Sequence, residues 1–295
     1  PVVGGCLAGF PVDDCETNAE CRTAFGIDHV CGEEGYCETL DLPTRCDASW
    51  PTNVWTSPED YGDAVIIGSL FDLGPDLPNV KAASLAIREA QEAQALDGRD
   101  VVFLTCDYQV DDAYDDLGFE EAAIEGATFL SQVLDAPVIL GAGSSGQSLV
   151  AYDALQGTDT VLIAPSSTSP LLSELDPQPR SDEAPGLFWR TAPPDQAQAE
   201  AIVTDITDRA ATDVAVIYQD SAYGTGLGLL VAERLGQEGV GTTTHPFDDD
   251  NSRNAAIAAV ADGTAQEVLF VGSEVQDVVS FLNAAALVSG FETKA

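Results

Sequence analysis

The sequence predicts an α/β protein of two doubly wound, open parallel-sheet lobes, the second incomplete, behind a small disulfide-rich N-terminal module. Three observations predict it. Apolar runs of strand length, rich in Val and Ile, recur from residue 64 onward; most are continuous rather than alternating, as strands buried on both faces require. Ala-rich amphipathic stretches of helical length separate these runs. Six of the seven cysteines fall between residues 6 and 46.

The module occupies residues 1–50. Its cysteines, Cys6, Cys15, Cys21, Cys31, Cys37 and Cys46, are separated by short polar stretches such as DDCETNAEC and CGEEGYC. So small a segment buries little apolar area, and dense disulfides in an oxidising compartment are the usual remedy. Zinc is the competing chemistry. Intervals of 8, 5, 9, 5 and 8 residues contain no C-x₂-C knuckle and His29 stands alone, so no metal or other cofactor is expected. VVGGC places a small-residue pair before Cys6, as at the end of a bacterial lipoprotein signal, where that cysteine becomes acylated. A lipid anchor at Cys6 leaves five local cysteines, and Cys106, at the end of VVFLTC, makes the count even. Cys106 reads either as a buried free thiol or as the partner of Cys46, tying module to main domain; the count favours the second. The other four then pair within the module, in an order the sequence leaves open. Methionine is absent, so Pro1 is not an initiator and the chain is expected to be processed or cut.

Residues 51–62 read as a linker within the Pro-, Ser- and Asp-rich DASWPTNVWTSPEDYGD. Lobe one, residues 63–192, carries strands AVIIGSL from Ala64, DVVFLTC from Asp100, APVILGA from Ala136, TVLIAPS from Thr160 and GLFWRTA from Gly186. Its helices are expected near 78–96, 116–134 and 146–156. LSELDPQPRSDEAPG interrupts the alternation, and the Pro-Pro pair of TAPPDQAQA suits a chain crossing between lobes before a new helix. Lobe two, residues 193–295, carries DVAVIYQD from Asp213, TTTHPF from Thr242 and EVLFVGS from Glu267, with helices near 195–211, 223–238, 251–262 and 275–289. The sequence ends at SGFETKA with only part of that lobe expected.

With 11 basic and 50 acidic side chains the net charge is −39, which repels phosphate backbones and anionic headgroups and excludes nucleic-acid and electrostatic membrane partners. Acid-rich surfaces with only two lysines, Lys81 and Lys294, fit a salty medium, where screening weakens self-repulsion. No apolar run approaches the ~20 residues of a membrane span. Gly141-x-Gly143-x-x-Gly146 has the dinucleotide spacing, but it follows the third strand and no acid ends the next one, so no dinucleotide is expected. Ala142-x-Ser144-x-Gly146 lacks the first glycine of a nucleophile elbow, and the histidine that follows is His245, in HPFDDDN. A serine hydrolase using Ser144 or Ser145 with His245 is the enzymatic alternative to a binding protein. Asp107, Asp111, Asp112, Asp115, Asp116, Glu120 and Glu121 lack calcium-loop spacing and read as a solvated helix start.

Two loops remain. GAGSSGQS and PSSTSP place hydroxyls and backbone N–H groups at the C-terminal ends of parallel strands, where open α/β sheets bind ligands. A helix starting after Ser145 directs free N–H groups at an anion. Together the loops read as a carboxylate-binding floor, with Tyr223 of QDSAYGTG in the equivalent loop of lobe two. AVIIGSL, LGAGSSGQS, LIAPSSTSPLL, LFWRTAPPD and VAVIYQDSAYGTGL, in this order, resemble the type I periplasmic substrate-binding proteins of the branched-chain amino acid (Leu/Ile/Val) ABC-transporter family, also seen in receptor ligand-binding regions. The likeness covers roughly residues 63–291.

The resemblance implies a binding protein, not an enzyme: two hinged lobes that close on an amino acid-like ligand and deliver it to an ABC-transporter permease, or report it as a sensor ectodomain. It implies that the ligand carboxylate meets Ser144 and Ser145, and that the ammonium meets Ser166 and Thr168, with Ser167 between them. Tyr223 joins them, and Asp277 with Glu274 supplies the acid for the ammonium. Phe71 and Leu73 would line the side-chain pocket, in a loop (SLFDLGPDLP) that departs from the family's glycine-rich form. The Cys-rich leader is no part of the family pattern and reads as a spacer on an exported, periplasmic or cell-surface lipoprotein; the family runs on for several further elements. Intact-mass analysis with thiol labelling is expected to find residues 15–46 fully oxidised; free thiols throughout that segment would contradict the disulfide framework.

Overall fold

The computed structural model describes residues 14–96, 98–109, 117–176 and 179–294. Cys6, Asp111, Asp112, Asp115 and Asp116 lie outside the described residues. The chain forms two compact units: one runs to Gly143 and includes Val150–Ile163, the other comprises Ser144–Leu149 and Ala164–Ala295.

The module is a helix pinned to a hairpin. Helix α1 (Asn18–Phe25) opens on a capping box, with Glu20 N–H donating to Thr17 Oγ1 (3.3 Å) and Thr17 N–H to the Glu20 carboxylate (3.2 Å). Strands β1 (His29–Cys31) and β2 (Cys37–Thr39) pair antiparallel with Cys31 opposite Cys37. Disulfides Cys15–Cys31 and Cys21–Cys37 then join helix and hairpin. The Sγ atoms of Cys15, Cys21 and Cys31 lie within 4.8 Å of one another because the two bridges sit side by side; a bonded sulfur is no thiolate ligand.

The module is docked rather than held off as a spacer. Asn18 Nδ2 donates to the carbonyls of Gln132 (3.3 Å) and Val133 (2.9 Å), and Arg22 pairs with Asp135 (3.1 Å). Cys46 is bonded to Cys106, 60 residues away, with both side chains buried. Beside it, the buried Arg45 donates to the carbonyls of Gln109 (2.6 Å) and Asp107 (3.3 Å).

The stretch read as a linker also differs from expectation. The residues just before it form β3 (Ala48–Trp50), which pairs antiparallel with β5 (Val101–Asp107), and its own Val54 is fully buried. An apolar strand such as β5 cannot leave one edge unpaired, and the segment leading from Cys46 covers it. The rest of the sheet is parallel: β4 (Val65–Phe71) lies between β5 and β6 (Val138–Gly141), and β6 pairs with β7 (Val161–Ala164), giving the order β3-β5-β4-β6-β7. Helix α2 (Leu77–Glu92) buries Ile87 against Val101 and Phe103 on one face. Helix α3 (Phe119–Thr128) packs on β4 and β5 through Gly126, where a Cβ would come within 2.8 Å of Leu70 and Cys106. Helix α4 (Ser145–Ala154) follows β6 directly.

In the second unit, β8 (Phe188–Arg190) is followed by α5 (Asp195–Asp208), β9 (Asp213–Gln219), α6 (Ala222–Gln237), β10 (Gly241–Phe247), α7 (Asp250–Asp262), β11 (Glu267–Val271) and α8 (Val275–Ala285). The parallel order β10-β9-β11 puts β9 at the centre, and its side chains alternate between two layers. Val214, Val216 and Tyr218 meet α5 and α6 through Val203, Leu227 and Val231; Ala215 and Ile217 meet α7 and α8 through Ile257, Val260 and Phe281. Helices on both faces of a parallel sheet are the doubly wound arrangement.

Because Cys46–Cys106 closes a 60-residue separation, loop-closure entropy assigns it roughly 4 kcal/mol. Replacing both cysteines by Ser is expected to lower the unfolding free energy by about 2–5 kcal/mol in denaturant titrations, while an effect below ~1 kcal/mol would show the bridge to be incidental.

Candidate functional site

The serine loop enters α4. Ser144 is exposed and caps the helix: its Oγ accepts the Gln147 N–H (3.4 Å) and contacts the Gln147 side chain, and its carbonyl accepts the Ser148 N–H (3.0 Å). Ser145 faces inward, 4% exposed, and its Oγ accepts the backbone N–H of Ser169 (3.2 Å). One helical turn on, Ser148 Oγ lies 2.8 Å from Ser167 Oγ, both fully buried. The two serine loops are therefore bonded to each other twice, by Ser145–Ser169 and by Ser148–Ser167. Ser169 Oγ in turn donates to the Ala222 carbonyl at the start of α6 (2.7 Å).

Around that seam the predicted residues divide. Ser166 is exposed and Thr168 half-buried. Tyr223, in the first turn of α6 behind its cap Ser221, receives a hydrogen bond on its hydroxyl from Gln198 (3.4 Å). Glu274 and Asp277 open α8, where the Asp277 carboxylate accepts the Glu274 N–H (3.2 Å) and so serves its own helix start. Phe71 and Leu73 belong to the other unit. Phe71 is buried at the end of β4, and Leu73 N–H donates to the buried Asp107 carboxylate (3.1 Å).

One acid at the serine seam escapes the sequence reading. Asp195, first residue of α5, is 1% exposed; its N–H donates to the Thr168 carbonyl (2.9 Å) and its carboxylate is hydrogen-bonded by the Thr168 side chain. Its second oxygen, Oδ2, is buried with no hydrogen-bond partner among the described residues, and so is Gln196 Oε1 beside it in the chain. Burial pushes the Asp195 carboxyl above its ordinary value; the Thr168 hydrogen bond and the Arg190 charge only partly oppose this. Arg190 is itself engaged, donating to the Ser169 carbonyl (2.9 Å) and to the Ser173 side chain. In the sequence, Asp195 is simply the first acid after a Pro-Pro pair. Its proximity to Thr168, 27 positions earlier, comes only from the fold.

The hydrolase alternative requires a base on a serine. His245 instead sits midway along β10, its Nε2 3.2 Å from Thr243 Oγ1, and burial lowers its pKa. Ser144 and Ser145 bond to Gln147 and Ser169, so no serine–histidine pair is formed.

Comparison with known proteins agrees with a binding fold. Residues 80–288 match the family described as "Receptor family ligand binding region". The chemotactic signal transduction system substrate-binding protein BasB of Halobacterium salinarum is 29% identical over 236 residues, 72% of this chain and 51% of that protein. The chain thus spans about half the length of this relative. Among solved structures, the leucine binding protein LivK of Thermotoga maritima superposes with a TM-score of 0.59 at 16% identity, over 76% of this chain and 60% of that one. An ABC transporter substrate-binding protein from Desulfitobacterium hafniense in complex with Leu gives 0.54 at 18% identity, over 77% and 64%. These likenesses show a shared fold, that of the periplasmic binding proteins. With most of its length matched, the chain belongs to the receptor family of ligand-binding regions.

Proposed function

We propose that this protein captures a free amino acid outside the cytoplasm, holding its carboxylate at Ser144 and Ser145 and its ammonium at Thr168 and Asp195. The observation that carries the reading is the unpartnered Asp195 Oδ2. A buried carboxylate oxygen without a donor is costly, and an ammonium beside Thr168 is the group that removes the cost. The serine seam complements it, with hydroxyls and helix N–H groups and no acid in either loop. Asp277 and Glu274 remain second candidates for the ammonium; replacing them with Asn and Gln tests that choice. Three disulfides fit an exported protein.

Two roles follow capture, presentation to a transporter permease or to a sensor. The BasB likeness favours sensing, since at 29% identity it stands closer than the 18% of the two structures named for ABC transport.

A calorimetric screen in high salt, where a chain of charge −39 is screened, tests the ligand class. Zwitterionic amino acids are expected to bind, and simple carboxylates lacking an ammonium to bind at least ten-fold more weakly. Binding of neutral sugars or nucleosides and of no amino acid would overturn the assignment. Asp195→Asn is expected to cost ten- to hundred-fold in amino-acid affinity, the range for a charge-assisted hydrogen bond.

The same substitution has an opposite effect on stability. A raised carboxyl pKa means that the folded chain holds the proton more tightly than the unfolded one. The resulting stabilisation is complete below the ordinary carboxylate range near ~3.9 and disappears as pH rises through the elevated folded value. Unfolding at a series of pH values should show the ligand-free Asn variant more stable than the parent above that window. An Asn variant less stable at neutral pH would mean that Arg190 already compensates the charge.

A further inference from the structure

We propose that Ser169 is a positioning residue for the ligand seam. Its hydroxyl pins the first turn of α6 to the loop that carries Thr168, and so fixes Tyr223 relative to Thr168 and Asp195. The proposal deepens the amino-acid reading and rests on it.

Ser169 is fully buried, and each of its polar groups is engaged within the second unit. Its N–H donates to Ser145 Oγ (3.2 Å), and its carbonyl accepts from Arg190 Nη1 (2.9 Å) and from the Leu172 N–H (3.2 Å). The hydroxyl oxygen accepts the Leu171 N–H (3.3 Å), as a serine capping a turn does. Capping uses a lone pair and leaves the hydroxyl proton over. That proton goes to the Ala222 carbonyl (2.7 Å), 53 positions along the chain. Thr168 precedes Ser169 and Tyr223 follows Ala222, so this one bond sets the separation of two residues expected at the ligand. A second path joins them. The Asp195 N–H donates to the Thr168 carbonyl (2.9 Å), and Gln198, one turn further along α5, donates to the Tyr223 hydroxyl (3.4 Å). The latter bond is long and exposed, so the Ser169 hydroxyl is the firmer of the two ties on α6.

The helix is shaped to receive this hydroxyl. A Cβ at Gly226, one turn after Ala222, would come within 2.7 Å of Ser169 Oγ and 2.9 Å of Pro170 Cδ. The second atom belongs to a rigid ring and the first to a buried hydroxyl bonded on both sides. Neither swings aside, so the close approach of α6 requires glycine at 226. A serine that only capped its own turn would need no glycine opposite it. Ser169 is meanwhile held from the loop side by Ser145 and Arg190. When the contact is broken it is therefore the start of α6 that shifts, and Tyr223 shifts with it.

The test breaks the contact from each side. Ser169→Ala removes the hydroxyl; Gly226→Ala leaves it in place and pushes the helix off, although alanine is the better helix former. In calorimetry with leucine each is expected to weaken binding about ten-fold, and the double variant no further than either alone. Tyr223→Ala carries the decisive cycle. In that background Ser169→Ala should cost less than about two-fold, because the residue it positions is gone, whereas a merely structural serine would cost the same in both backgrounds. Gly226→Ala runs the same cycle if Ser169→Ala does not fold. An equal cost in both backgrounds, no effect of Gly226→Ala, or no effect of Tyr223→Ala by itself overturns the proposal. Binding of no amino acid by the parent protein would refute the amino-acid reading instead. In that event amide exchange of the ligand-free protein decides on Ser169. Exchange at Gly224 and Thr225, whose N–H groups are bonded to Ser221 (3.1 and 2.9 Å), should be faster in both alanine variants, and unchanged exchange would sink the proposal.

Discussion

Strand β5 buries all seven of its side chains, and much of the first unit follows from that requirement. A strand covered on both faces needs a helix layer on each side, which α2 and α3 supply, and a hydrogen-bonded neighbour at each edge, which β4 and β3 supply. Its one hydroxyl, Thr105, cannot reach water and bonds to Ser69 across the sheet (2.7 Å). Polar chemistry is thereby expelled to the strand ends. At its C-terminal end β5 delivers Cys106 to Cys46, Asp107 to the loop carrying Leu73, and Tyr108 to Gly143. The disulfide module is therefore bonded to the same strand end that carries these polar contacts.

The alternation of elements was legible because most strands from β4 onward are continuous apolar runs and most helices begin at a polar or Pro-marked position. Observed bounds for β9 and α7 fall within a residue of those expected from the sequence. Less legible were the pieces whose role depends on contacts distant in sequence. Ala48–Trp50 is too short to announce a strand, and only the bare edge of β5 makes it one. The module looked like a spacer because its docking groups, Asn18 and Arg22, are ordinary polar residues of a surface helix. In the site, hydroxyl-rich loops stood out by composition. Ser148, Ser169, Asp195 and Asp76 acquire their partners only in three dimensions.

Charge is handled by segregation. With nine arginines against fifty acids, the chain buries Arg22, Arg45 and Arg253 almost completely and uses them as internal donors or ion-pair partners. A guanidinium suits this use, because it offers five donors, keeps its charge and is less strongly hydrated than an ammonium. Apart from Asp107, Asp176 and Asp195, most acids of the described residues face solvent, where salt screens them. Remote surface charge then contributes little to the serine seam, whose field comes from N–H groups and hydroxyls at hydrogen-bond distance.

On the proposed reading, the seam discriminates unequally between the two ends of a ligand and its side chain. A side chain in an apolar pocket differs from its homologue by one methylene, worth ~1–3 kcal/mol at most. The ammonium instead meets a buried carboxylate with one oxygen already bonded to Thr168 and the other without a partner. A ligand lacking that ammonium leaves the oxygen dry and unpaired, a penalty added to the interaction forgone. The charge class of the ligand is therefore enforced by a group left unsatisfied in the empty protein, and the cost of keeping it so falls on the stability of the fold. The serine floor needs no such expense, since Ser145, Ser148, Ser167 and Ser169 all have partners before a ligand arrives. Strain is thus concentrated at Asp195 while the floor is preorganised, and affinity for the common part of an amino acid can coexist with tolerance of its side chain.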